Sequence, residues 1–469
     1  MTAKTKLMGH NDTLAKPTAP PPGFDRWRRH VAEMLRLAPV IVLARSGMFL
    51  VILVDTVMVG RYSAVELGYM SMGMSLVQPL VVTSIGLIMG TLVLSANAFG
   101  AERFEECGRV WRRSMVYAAG LGTIAAAIAM FGETLLTWTG QSPELAREGG
   151  KVMAVLGLGL PAHLLFLASS FFLEGIRRPA PGFIAMGAAN VVNLGLNWLF
   201  IYGAVEMVPG GALGAALATT LARWVVAGAM VIYILTMRDQ ERFGVRRRAV
   251  GGWGAWANQR RLGYATGISL AVESGAFTAV QQFVGWLGPV PLAAFTAAFY
   301  LQIVSFMVAI GFGAATAVRV GNAHGRGDPV DMARAGWTGL ALNTCAMVLV
   351  GTALVSFDET FVAAFTRDPA VAALAVPLLF WVAMVLLSDG AQAVLANALR
   401  GRQDVWTACY LQTFAFFVVM VPLAWVLVFP MGHGVVGVFQ AVGIATLVST
   451  ALLATRFFIL YRRDVKSTG

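Results

Sequence analysis

Glu273 and Asp389 each lie inside a long apolar stretch, far from any loop. If those stretches are helices crossing a membrane in opposite directions, the rise of about 1.5 Å per residue fixes their depth. Glu273 comes twelve residues after Arg261 and Asp389 eleven residues before Arg400. Both then sit about 16–18 Å from the same face. Two carboxylates at one level can share a hard cation such as Na⁺ through their oxygens, or share a proton, because both cannot ionise cheaply. Each could instead pair with a buried cation or a hydroxyl. A third acid, Asp55, stands six residues before Arg61. It could reach water, pair with Arg61, or exchange a proton. Asn193 and Asn197 are one helical turn apart, with Asn190 three positions earlier. They could line a cavity beside Asp55 or simply hydrogen-bond between helices. Tyr300 and Gln282 are further candidates for cavity lining. Arg45 and Arg223 are candidate counter-charges for Asp55 or for the other two acids. His163, 226 positions before Asp389, either occupies an equivalent position or is a packed histidine.

No other chemistry is on offer. The chain has no HExxH, no GxSxG, no Walker A loop and no Cys/His cluster at ligand spacing, so an intramembrane enzyme is a weak rival. Without a nucleotide motif, any transport is secondary. Cys107, Cys345 and Cys409 are not expected to form disulfides.

The elements that hold these residues follow from composition. Of 469 residues, 58% are hydrophobic and 13% charged, against about a quarter charged in a soluble domain. Spans are read at 33–59, 66–98, 114–132, 151–175, 181–203, 210–237, 263–286, 291–320, 334–356, 370–399, 405–429 and 434–461. Each must be helical, since hydrocarbon offers peptide groups no partner. The expected fold is an all-α integral membrane protein with twelve transmembrane helices in two pseudo-symmetric six-helix lobes around a central cleft. Residues 1–32 read as a disordered cytoplasmic arm, 33–237 as the N-lobe, 238–262 as an inter-lobe loop, 263–461 as the C-lobe and 462–469 as a tail. Alternate loops concentrate arginine: Arg109, Arg112 and Arg113; Arg177 and Arg178; seven arginines between Arg238 and Arg261; Arg400 and Arg402. The opposite loops hold Glu133, Glu144, Glu148, Glu206, Asp358 and Glu359. By the positive-inside rule both termini are cytoplasmic. The net charge of +11 is then met by lipid headgroups and not by nucleic acid. Trp253 and Trp256 beside those seven arginines make the loop either an interfacial segment or a plain linker.

An ungapped self-match at an offset of 225 residues relates the halves. It pairs Gly86 with Gly311, Thr91 with Thr316, Asn97 with Asn322, Gly100 with Gly325 and Arg109 with Arg334. Six spans per unit is an even number, so the repeats insert the same way up.

At Val54-Asp55-Thr56-Val57-Met58-Val59-Gly60 the sequence resembles the multidrug and toxic compound extrusion (MATE) family. The resemblance continues at Phe99-Gly100-Ala101, Asn193-Leu194-Gly195-Leu196-Asn197-Trp198, Val318-Arg319-Val320-Gly321-Asn322 and Leu387-Ser388-Asp389-Gly390. With both Glu273 and Asp389 present, it is similar to the NorM-type branch. The resemblance implies efflux of hydrophobic, often cationic drugs by antiport with Na⁺ or H⁺ and no other cofactor. It also implies Glu273 and Asp389 as the cation-binding acids, Asp55 as a proton-coupling acid, and a monomer in a bacterial inner membrane. The chain departs from the family at Ala293-Ala294-Phe295, where Ala-Ala-His is usual, and at Arg45, in a stretch normally uncharged. The alternative is a flippase for lipid-linked intermediates, which would need a more cationic cavity.

Overall fold

A computed structural model describes residues 23–202, 210–247, 252–366 and 368–468. Among them every regular element is helical. The first half comprises α1 (Gly23–Tyr62), α2 (Ala64–Ile88), α3 (Gly90–Gly100), α4 (Phe104–Met130), α5 (Gly132–Trp138), α6 (Pro143–Leu158), α7 (Leu160–Gly175), α8 (Ala180–Ile201) and α9 (Gly211–Thr236). A short α10 (Gln240–Phe243) and a 3₁₀ turn (Trp253–Trp256) lead to the second half. That half holds α11 (Ala257–Trp286), α12 (Pro289–Gly325), α13 (Pro329–Ser356), α14 (Asp358–Ala363), α15 (Pro369–Gly401), α16 (Val405–Thr413), α17 (Val421–Val428) and α18 (Gly434–Thr468).

Several spans are built from two pieces. Gly159 followed by Pro161 separates α6 from α7 and loosens the bonding of the last α6 turn, where the Gly159 N–H turns back to Leu156 O and Pro161 has no N–H to donate. Side chains of α9 fill the gap: Thr220 donates to Val155 O at 2.8 Å, Arg223 to Leu156 O at 3.5 Å and Trp224 to Leu158 O at 3.1 Å. A π-helical stretch, Phe414–Met420, joins α16 to α17.

Among the described residues, eleven spans are long and apolar enough to cross a membrane by length and composition. The twelfth, α11, has 30 residues but is diluted by Arg260, Arg261, Glu273, Gln281 and Gln282. Length makes it a span; the polar side chains that spoil its hydropathy include one of the paired acids. The repeat appears in the helix boundaries. The starts of α2 and α12, of α4 and α13, and of α8 and α16 are all 225 positions apart.

Two boundaries differ from the sequence reading. Helix α1 begins at Gly23, inside the stretch expected to be a disordered arm, because Asp25 to Leu37 continues its helical pattern; residues 1–22 lie outside the described residues. Helix α18 continues through most of the expected tail, to Thr468. The described part of the inter-lobe loop is pinned to α4 and α9. The Arg242 guanidinium stacks over Phe104 at 3.7 Å, Arg247 pairs with Glu105 at 2.8 Å, and Arg246 donates to Leu235 O. In return Arg112 donates to Gly244 O and Arg113 to Ala255 O.

The lobes meet through the arginine-rich half of the bundle. Apolar clusters confined to the arginine-poor half each draw on one lobe, Val59 to Ala216 or Ala276 to Ala445. The clusters that mix lobes use residues nearer the other end, as where Met34 to Ile41 pack on Phe312 to Ala315. Glycine permits this closeness: a Cβ on Gly86 would lie 2.6 Å from Gly267 Cα, and one on Gly311 would collide with Val42. The repeat partners meet as equals. Gly100 sits against the Asn322 carbonyl, and Gly325 against the Asn97 carbonyl. Asn322 Nδ2 donates to Ala96 O at 2.8 Å, and Asn97 Nδ2 to Gly401 O at 3.1 Å.

Gly100→Ala and Gly325→Ala should therefore each wedge this seam and destabilise it by about 1–3 kcal/mol. Thermal unfolding of the purified protein checks this; unchanged midpoints in both variants would contradict the seam.

Candidate functional site

The C-lobe acids sit on α11 and α15. Asp389 is 3% exposed and hydrogen-bonded by Gln392, one turn along α15, at 3.3 Å, with Gln302 of α12 close by. A network continues from it. Gln392 Oε1 accepts from Gln412 Nε2 at 3.1 Å and from the Ser449 hydroxyl at 3.0 Å. Gln412 Oε1 in turn accepts from Arg400 at 3.2 Å and from Ser269, one turn before Glu273 on α11, at 2.6 Å. Glu273 differs in kind. It is half-buried, makes no hydrogen bond or ion pair to any described residue, and lies within electrostatic reach of both Asp389 and Arg400. The two acids that helical rise put at one depth thus lie within electrostatic reach of one another. Gln302 Oε1 is a buried acceptor with no partner among the described residues.

The N-lobe acid is held quite differently. Asp55 is 2% exposed. Its Oδ1 accepts from Asn197 Nδ2 at 2.6 Å, and its Oδ2 from the Thr219 hydroxyl at 2.5 Å. Asn193 completes the cluster, donating to Thr219 Oγ1 at 3.0 Å and accepting from Asn197 at 3.1 Å. The asparagine face of α8 therefore does meet Asp55, as a buried clamp. Pairing of Asp55 with Arg61 and extension toward water are both ruled out by this burial.

Arg45 is not a counter-charge for Asp55 or for the C-lobe acids. It forms an ion pair with Glu174 at 3.0 Å, lies over the Phe171 ring, and Ser170 also donates to Glu174. The sequence reading missed Glu174 because it falls one residue from the end of a span, where acids usually reach water. Its signal was Arg45 itself, an uncompensated cation one span-depth away. Arg223 stands within electrostatic reach of Asp55, but its hydrogen bond goes to Leu156 O at the α6 break. His163 is buried one turn beyond Gly159, with Nε2 unpartnered among the described residues. Tyr300 is 47% exposed and stacks on Phe365, and Gln282 is exposed near the end of α11. The structure gathers neither of these two with the paired acids.

Comparison with known proteins bears on the family and the fold. The MatE family model matches residues 41–199 and 265–426, two stretches separated by nearly the repeat offset. A Caulobacter vibrioides protein named probable multidrug resistance protein NorM is 37% identical over 436 residues, 93% of each chain. A protein of the same name from Bradyrhizobium diazoefficiens is 30% identical, covering 97% of this chain and 99% of that one. Among solved structures, an outward-facing multidrug resistance MATE family transporter superposes with a TM-score of 0.86 at 18% identity, over 96% of this chain and all of that one. A eukaryotic MATE transporter superposes with a TM-score of 0.84 at 19% identity, over 94% and 99%. With both halves matched by the family model and a relative 37% identical along nearly its whole length, this multi-pass membrane protein belongs to the MatE family.

Proposed function

We propose that the protein is a secondary multidrug efflux transporter that exports hydrophobic, often cationic compounds in exchange for Na⁺ or H⁺. The observation that carries this reading is the contrast between the acids. Asp55 and Glu174 have their charge met by protein groups, whereas Glu273 stands half-buried and unbonded beside Asp389. A carboxylate kept so in a membrane interior needs a visitor. Both acids with Gln302 Oε1 offer an all-oxygen set suited to a hard monovalent ion, and either acid can take a proton instead. Among the described residues no cluster of three or more His, Cys, Asp or Glu could hold a metal. The relatives' names support the drug-export side of the reading.

In this mechanism the arginine-rich face is cytoplasmic, both termini lie there, and the protein works as a monomer in the bacterial inner membrane. With the lobes joined at that face, the cleft opens outward and an external cation reaches Glu273 and Asp389. Their neutralisation weakens the hold on a cationic drug; the lobes then reverse, release the ion and load a drug from inside. Ion and drug must bind antagonistically for the cycle to export anything. The membrane potential contributes about 2.3 kcal/mol per charge per 100 mV. Asp55 couples to the same cycle through the N-lobe. A proton on Oδ2 would turn the Thr219 hydroxyl from donor to acceptor, and one on Oδ1 would set a donor against Asn197 Nδ2, so protonation changes how α1 is bonded to α8 and α9. A flippase is less well supported, since Arg45 is neutralised by Glu174 and Arg223 is committed to a backbone carbonyl.

Efflux from proteoliposomes under separately imposed Na⁺ and H⁺ gradients tests the whole reading. In that assay Glu273→Gln and Asp389→Asn should each reduce gradient-driven efflux to the level of empty liposomes while leaving folding intact; wild-type rates in either would discard the coupling assignment. Asp55→Asn mimics the protonated acid: its Oδ1 can still accept from Asn197, but the Thr219 hydroxyl must turn from donor to acceptor and both charge-assisted bonds are lost, costing about 1–3 kcal/mol of stability. A calorimetric unfolding temperature equal to wild type would show that the clamp does not hold this geometry.

A further inference from the structure

Helix α1 belongs to the N-lobe, yet its first turns are bound to the C-lobe by charge. His30 is 1% exposed and wedged between two C-lobe helices. Its Nδ1 lies 2.8 Å from Arg319 Nη2 on α12, and its Nε2 lies 2.8 Å from Asp331 Oδ1 on α13. A guanidinium can only donate, so Nδ1 accepts and the ring hydrogen sits on Nε2, donating to Asp331. The ring that fits this place is neutral. One turn later Glu33 pairs with the same Arg319 and also, at 2.6 Å, with Arg177 in the turn after α7. Arg29 reaches Asp331 at 3.1 Å, and Arg326 does so from the end of α12 at 2.6 Å. Glu33 thus bridges a C-lobe arginine to an N-lobe one, and His30 and Arg29 fasten the same helix to α13.

We propose that the cluster of His30, Glu33, Arg319 and Asp331 is a latch that holds the lobes together at the arginine-rich face, and that acid releases it through His30. The charged groups around the ring are Arg29 and Glu33 on α1, Arg319 and Arg326 on α12, Asp331 on α13 and Arg177 beyond α7. Four are cationic and two anionic, so a further positive charge is disfavoured in the closed arrangement. Protonation at Nδ1 also turns the acceptor into a donor aimed at Arg319, which has nothing to accept with. The bond to Asp331 survives protonation; the bond to α12 does not. Reversal of the transporter requires this face to part, so the latch rests on the alternating-access reading and sets how readily the face opens.

A native thiol reports on the seam. Cys409 is 2% exposed in a cluster that joins Val93 of the N-lobe to Leu262, Ala265 and Val405 of the C-lobe. In a Cys107→Ser, Cys345→Ser background, the rate of Cys409 modification by a hydrophilic maleimide reads seam opening without any drug or ion gradient. Failure of the latch is therefore distinguishable from failure of the transport reading. Rates are normalised at each pH to the unfolded protein. Glu33→Gln and Asp331→Asn should raise the normalised rate by about ten-fold or more, the factor expected for losing one charge-assisted hydrogen bond. The unsubstituted latch should label faster as pH falls from about 8 to about 6, across the ordinary histidine range. His30→Gln should remove that dependence. If Glu33→Gln and Asp331→Asn label as slowly as the parent, or if His30→Gln keeps the parent's pH profile, the proposal is overturned. Should either acid variant fail to fold, His30→Gln, which keeps a neutral hydrogen-bonding side chain, decides alone.

Discussion

A charge inside hydrocarbon must be met by something, and this requirement organises the structure. The acids of the spans show different ways of meeting it. Glu174 has an arginine, Arg45, and a serine. Asp55 has only neutral donors, but two of them at 2.5–2.6 Å and a second tier that fixes their orientation. Asp389 has one bonded glutamine and a second close by. Glu273 has none of these and is the more accessible of the C-lobe pair. The series runs from fully compensated to open, and the open member stands where the lobes no longer share an apolar cluster toward the arginine-poor end.

The same economy shapes the helices. Helix α11 is the poorest membrane span of the twelve by composition, because it carries Glu273, Ser269 and the Gln281-Gln282 pair. It also carries Gly263 and Gly267, against which α2 packs so closely that a Cβ at Gly263 would strike Leu87 O. A helix unwelcome in lipid is thus held by close protein contacts on one face, with Ser269 bonded into the C-lobe network through Gln412. Close packing through small residues replaces the hydrophobic drive that a bilayer cannot provide between helices.

Much of this was legible in the sequence. Apolar runs and alternating arginine gave every span, and helical rise placed Glu273 level with Asp389. The 225-residue offset foretold that Asn97 and Asn322 would be equivalent, though not that they would touch across the seam. What the sequence could not reveal was pairing between distant spans. Arg45 has four acids within plausible depth, and only packing selects Glu174. Arg223 looked like a counter-charge because the break at Gly159 is invisible as a break until three α9 side chains are seen bonding to its carbonyls. His30 and Glu33 lay within or beside a stretch read as a disordered arm, since polar residues before the first apolar run look solvated. They are buried because α12 and α13 of the other lobe supply Arg319 and Asp331.

These features are not independent, because one hydrogen-bonded path joins the site to the seam. From Asp389 it passes through Gln392 and Gln412 to Arg400. The next residue, Gly401, has its carbonyl taken by Asn97 of the N-lobe, which also accepts from Gln403. An amide side chain in such a path cannot reverse its donor and acceptor ends without its neighbours answering. If an ion or proton changed what Asp389 can accept, the Gln392 Nε2 that donates to it would have to turn, and its Oε1, which accepts from Ser449 and Gln412, would turn with it. Arg400 feels the outcome both through Gln412 and through Glu273. Asp389 at mid-span and the closeness of the lobes at the arginine-rich face are therefore opposite ends of one polar chain, which would give the proposed alternating access a structural means of sensing its ion.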